Sequence, residues 1–160
     1  LPRRAQARRG AVIDRALRLV GLAALVACNA PPAKPDAPRF TIEREGGVAV
    51  RLVPAAGQLP YCLAFSAADS GTVRLLTMSP KNEALPCPAG KPIGDVTFRI
   101  PPDEGHVRLF VVFADTAVEA SAIAAQIREL AVKQKKVGGM DLRAPGTIAV
   151  GTADFTPNPG

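Results

Sequence analysis

From Arg39 onward, apolar and polar residues alternate with period two in short runs that stop at glycine or proline, the pattern of strands with one face in a core. Phe40 and Ile42 alternate with Thr41 and Glu43; after Gly46-Gly47, Val48, Val50 and Leu52 alternate with Ala49 and Arg51, which predicts a hairpin. Tyr61, Leu63 and Phe65 share one face of a third strand. The triplet Asp69-Ser70-Gly71 then makes a turn, and Val73, Leu75 and Thr77 continue on a fourth strand. Val96, Phe98 and Ile100 mark a fifth. The run from His106 to Phe113 is apolar at every position from Leu109 on, so both its faces should be covered and it should lie centrally in a sheet. A last strand runs over about 146 to 155, with Ile148 and Val150 on one face.

One segment has helical spacing instead. Ile123, Ile127 and Leu130 recur beside Ala120, Ala124 and Ala131, giving one apolar side to lay on a sheet. Thr116 and Glu119 fit a capping box at its start. Lys133, Lys135 and Lys136 suit the negative end of the helix, and Gly138-Gly139 stop it. Seven short strands and one helix predict a mainly β fold, an antiparallel β-sandwich with the helix packed on one face or edge. The alternative is an α+β arrangement with a split strand-helix-strand unit, the last strand returning parallel to the central one through a right-handed crossover.

Charge changes the picture at the front of the chain. The formal net charge is +6, yet residues 1–27 hold six arginines against Asp14 alone, and the remainder is close to neutral with its signs interspersed. A phosphate backbone is held by clustered, uncompensated cations, so no nucleic acid partner is expected for the body. The arginines precede an apolar run of nine residues, 19–27, too short to span a bilayer and the right length for the core of an export signal.

The ending Leu25-Val26-Ala27-Cys28 resembles the lipobox of bacterial lipoproteins, with valine where alanine or serine is commoner. The resemblance implies cleavage between Ala27 and Cys28 and lipidation of Cys28, through a diacylglyceryl group on the thiol and an acyl chain; no other cofactor is expected. Residues 29–38 carry four prolines, which predicts a stiff spacer of about 30 Å at roughly 3.1 Å per residue. The expected organisation is therefore a signal peptide over 1–27, a lipidated cysteine and tether over 28–38, and a single β-rich exported domain over 39–160. By the same resemblance, Asn29 rather than aspartate after the cysteine favours the outer membrane.

With Cys28 set aside for lipid, Cys62 and Cys87 are an even pair in an exported body, for which a disulfide is the default. It would pin the proline-flanked Cys87 and its long loop onto the third strand. Asp103, Glu104 and His106 place two carboxylates and an imidazole within four positions, a set with acid-base or metal-binding capacity. Their setting in a turn accounts for them as solvating residues, and no second histidine completes a metal set. No catalytic residue and no metal site is therefore expected.

The runs Tyr61-Cys62-Leu63-Ala64-Phe65, Gly71-Thr72-Val73-Arg74-Leu75-Leu76, Asn82, Ala89-Gly90-Lys91 and Gly105-His106-Val107-Arg108-Leu109-Phe110-Val111 together resemble an uncharacterised bacterial sandwich domain of exported proteins. They are also similar to hypothetical lipoproteins of GC-rich proteobacteria such as myxobacteria. The resemblance implies export and brings no catalytic residues. The expected role is a protein-interaction or accessory module of the envelope, held to the membrane by its lipid and partnered by another envelope protein. Two other readings are a module for a small molecule or glycan, for which Tyr61 and six phenylalanines are few platforms, and an enzyme using Asp103, Glu104 and His106.

Overall fold

The computed structural model describes residues 37–132 and 141–158. The leader, Ala27, Cys28, the tether through Asp36, the lysines at 133, 135 and 136 and the Gly138-Gly139 pair lie outside the described residues. Strands β1 (Phe40–Arg44), β2 (Ala49–Pro54) and β6 (Phe98–Arg99) form one antiparallel sheet in the order β1-β2-β6. A second sheet has the order β4-β3-β7-β8, from β3 (Tyr61–Ala68), β4 (Val73–Leu75), β7 (Val107–Ala114) and β8 (Ile148–Phe155). The short β5 (Leu85–Pro86) pairs with the start of β3. Helix α1 (Ala120–Val132) packs on this second sheet, so the fold is a β-sandwich with a helix on its outer face.

Alternation along β3 and β7 builds two cores from one sheet. Cys62, Ala64 and Ala68 of β3 and Val107, Leu109, Val111 and Phe113 of β7 face the smaller sheet, meeting Phe40, Val50, Leu52, Phe98 and Ile100. Leu63, Phe65, Phe110, Val112 and Ala114 face the other way, against Ile123, Ala124 and Ile127 of α1. Every residue of β7 except Arg108 is buried, which accounts for its continuous apolar run and its place between β3 and β8. Burying each large aliphatic or aromatic side chain contributes roughly 1.5 to 3 kcal/mol. Between the sheets the approach is close at Gly151, where a Cβ would lie 2.9 Å from Phe40 Cδ1. The Arg44 guanidinium lies 4.6 Å from the centre of the Phe155 ring, a second tie between the sheets.

One alternative is removed and three local expectations are corrected. The last strand is antiparallel to β7, from Val107 opposite Phe155 to Ala114 opposite Ile148, which removes the parallel crossover. The reason is the return path. The Gln126 amide accepts from Arg143 N–H (2.6 Å) and donates to Arg143 C=O (2.8 Å), holding Arg143 alongside the helix. Asp115 then clamps the exit of β7 to the entry of β8, its N–H on Thr147 C=O and its carboxylate on Thr147 N–H.

The capping box does not form either. Glu119 pairs with Glu83 in an isolated bridge, Ala120 N–H donates to Asn82 C=O, and the helix begins at Ala120. The fourth strand ends at Leu75, short of Thr77, and the fifth comprises only Phe98–Arg99. A 3-10 turn at Ile93–Asp95, with Gly94 and Asp95 both at positive φ, swings Val96 out of the expected face. Finally, there are eight strands among the described residues rather than seven, because Leu85–Pro86 pairs with Cys62 and Tyr61.

Cys62 and Cys87 are joined, 5.8 Å apart at Cα and 25 positions apart in sequence. Removing the bridge as Cys62→Ala/Cys87→Ala should lower the unfolding free energy by about 3 kcal/mol, read as a lower urea midpoint. Gly151→Val forces a side chain against Phe40 and should cost about 1 to 3 kcal/mol in the same titration; an unchanged midpoint would show that the sheets separate freely at this point.

Candidate functional site

Of the anticipated trio, Asp103 and Glu104 lie in the 3-10 turn Pro102–Glu104 and His106 follows it, and Glu104 and His106 meet different partners. Glu104 turns its carboxylate to the Arg74 guanidinium on β4, and its side chain is only 5% exposed. His106 instead stands between two aspartates, with Nδ1 3.2 Å from Asp69 Oδ1 and Nε2 3.6 Å from Asp154 Oδ1. Arg108 donates from Nε to the same Asp154 oxygen at 3.1 Å, across the β7–β8 pair. The contacts among Asp69, His106, Arg108 and Asp154 lie in solvent at one end of the second sheet, where such pairs contribute about 0 to 1 kcal/mol. Among the described residues no group of three His, Cys, Asp or Glu side chains is arranged to hold a metal ion.

A cleft lies elsewhere on the body. It measures about 500 Å³ and opens between β4 with its continuation to Met78 and the segment from Ile93 to Arg99. Leu76, Leu85, Ile93 and Phe98 contribute apolar lining, and Arg74 and Arg99 supply the charge. The two large apolar side chains most exposed in the described body, Met78 at 85% and Val96 at 47%, both line it. The cleft lies where β4 edges one sheet and β6 the other.

Local chemistry explains why the β4 edge stops where it does. Leu76 N–H donates to Ala64 C=O at 2.8 Å, continuing the ladder one step beyond the strand. The reciprocal bond is replaced, since Ala64 N–H donates to the Thr77 hydroxyl at 3.2 Å. Thr77 is thereby drawn in to 3% exposure while the next residue, Met78, is put into solvent. Beyond it, the Ser79 hydroxyl accepts from Glu83 N–H at 2.8 Å and donates to Glu83 C=O at 2.9 Å, closing the loop that leads to β5.

Sequence reasoning missed this cleft. Val96 falls in register with Phe98 and Ile100 and reads as core, and Arg74 and Arg99 read as the solvated positions of alternating strands. The available signal was Gly94-Asp95 immediately before Val96, a pair suited to a turn in which the period breaks. Comparison with protein-family models, with curated proteins and with solved structures gave no match. No described helix is long and apolar enough to cross a membrane.

Thr77→Val should remove the hydroxyl acceptor and leave Ala64 N–H buried without a partner, at a cost of about 1 to 3 kcal/mol in a denaturant titration, while Thr77→Ser should retain most of the stability. Equal losses in the two variants would assign the effect to packing and remove the role given to the hydroxyl.

Proposed function

We propose that this chain is a lipid-anchored protein of the bacterial envelope whose folded body binds another protein. The binding role is carried by the cleft, where apolar side chains stand exposed beside the edges of two sheets. Its lining of aliphatic groups, backbone and two guanidinium groups is suited to holding a polypeptide.

Export is supported by two independent features. One is the order of arginines, short apolar run, Leu25-Val26-Ala27-Cys28 and proline-rich tether. The other is the Cys62–Cys87 disulfide within the body, a bond that persists in oxidising compartments. A lipid on Cys28 would anchor the protein to the membrane, and the tether over 29–38 would hold the cleft away from the bilayer. Asn29 directs the anchored protein to the outer membrane on the lipoprotein resemblance. The division of Glu104 and His106 between separate partners favours no chemistry shared by the trio.

The intact mass of the membrane-extracted protein tests the anchor. The expected species begins at Cys28, carries a diacylglyceryl group and an acyl chain, and gains two hydrogens on reduction. Cys28→Ala should leave the membrane fraction without lipid. A native chain found uncleaved or free of lipid at Cys28 would overturn the lipoprotein reading.

A further inference from the structure

We infer that the cleft is a docking site for one extended segment of a partner protein, which adds as a strand along the free edge of β4 and sets a carboxylate against Arg99. This rests on the interaction role proposed above and specifies the partner's chemistry.

The backbone supplies the first argument. Ala68 N–H donates to Thr72 C=O, Arg74 stands opposite Ser66, and Leu76 N–H donates to Ala64 C=O. Residues 72, 74 and 76 therefore direct their peptide groups to β3, and the alternation of an antiparallel ladder directs those of Val73 and Leu75 outward. Among the described residues no strand lies against that edge. An extended chain laid there gains ladder hydrogen bonds that a folded partner's surface or a small molecule would not match. The strand edge itself, Val73–Leu75, spans about 10 Å at roughly 3.3 Å per residue, and the cleft continues along the chain to Met78.

The side chains supply the second. Alternate residues of the incoming strand would meet the apolar lining of Leu76, Met78, Val96 and Phe98. The charge in that lining is positive, with Arg74 and Arg99 and no carboxylate. Arg74 already holds Glu104, whereas Arg99 has no ion pair among the described residues. An acidic residue in the occupant completes it. A second copy of this chain would instead bring arginine-lined clefts face to face, and like charges across a strand pair are destabilising.

The test uses the purified full chain and three labelled octapeptides of alternating threonine and valine: one with a central glutamate, one with lysine there, and the glutamate peptide N-methylated at alternate amides. Fluorescence anisotropy gives affinity, and amide shifts locate contacts at Val73 and Leu75. The glutamate peptide should bind saturably and at least about tenfold more tightly than either of the others. Arg99→Glu should reverse the charge preference, and Met78→Glu/Val96→Glu, both at exposed positions, should weaken binding by a similar factor with the unfolding midpoint unchanged.

Absence of saturable binding, or binding indifferent to both charge and N-methylation, would overturn the inference. So would concentration-dependent dimerisation that Met78→Glu abolishes, since the occupant would then be a second copy. In cells, a photo-crosslinking residue at Met78 should capture a protein partner. Capture only from Arg128 on α1 would sink the cleft assignment and leave the interaction role standing, and capture from neither position would overturn both.

Discussion

Strand β7 belongs to two hydrophobic cores at once, and the rest of the fold is arranged by that constraint. One set of its side chains closes the space between the sheets, and the other seats the helix. A one-residue slip would exchange the two sets, placing the Phe113 and Leu109 side chains under the helix and Arg108 between the sheets. Its neighbours reinforce the register, β3 and β8 each pairing with it over its whole length. The single charged position, Arg108, falls near the strand's start, where Asp154 of β8 can meet it in solvent.

Sandwich folds must also deal with their outer edges, and this body treats them unequally. At the start of β3 the edge is covered by β5 and locked by the Cys62–Cys87 disulfide. Farther along, Thr77 substitutes a hydroxyl for a ladder carbonyl, and β4 remains the outermost strand. The same short interval thus contains a covalently protected edge and an open one, with exposed apolar side chains beside the open one. Exposed edges are a liability for unwanted pairing, and this one is limited by its length, three residues.

Period-two patterning made most of this architecture legible. The hairpin at Phe40 to Leu52, the turn at Asp69-Ser70-Gly71, the central placement of the His106 to Phe113 region and the helical stripe of Ile123, Ile127 and Leu130 all rest on local side-chain alternation, and the structure places each accordingly. What failed were positions where a local preference met a distant competitor. Thr116 and Glu119 have the spacing of a cap, but the Asn82 carbonyl takes the first helical N–H and Glu83 pairs with Glu119. Val96 has strand periodicity, yet the turn at Gly94-Asp95 breaks its register. The cleft was illegible for the same reason, because its walls come from residues about 20 positions apart that meet only when the two sheets stack.

The sequence by itself determined the sheet-forming segments, the helix, the pairing of Cys62 with Cys87 and the division between an arginine-rich first 27 residues and a nearly neutral remainder. Each depends on spacing, composition or the arithmetic of cysteines within one stretch of chain. Only the tertiary structure decided that β8 returns antiparallel to β7, that Glu104 and His106 meet separate partners, and that the exposed Met78 and Val96 share a cleft. Those outcomes depend on contacts such as Gln126 with Arg143 and Arg74 with Glu104, in which the partners are distant in sequence.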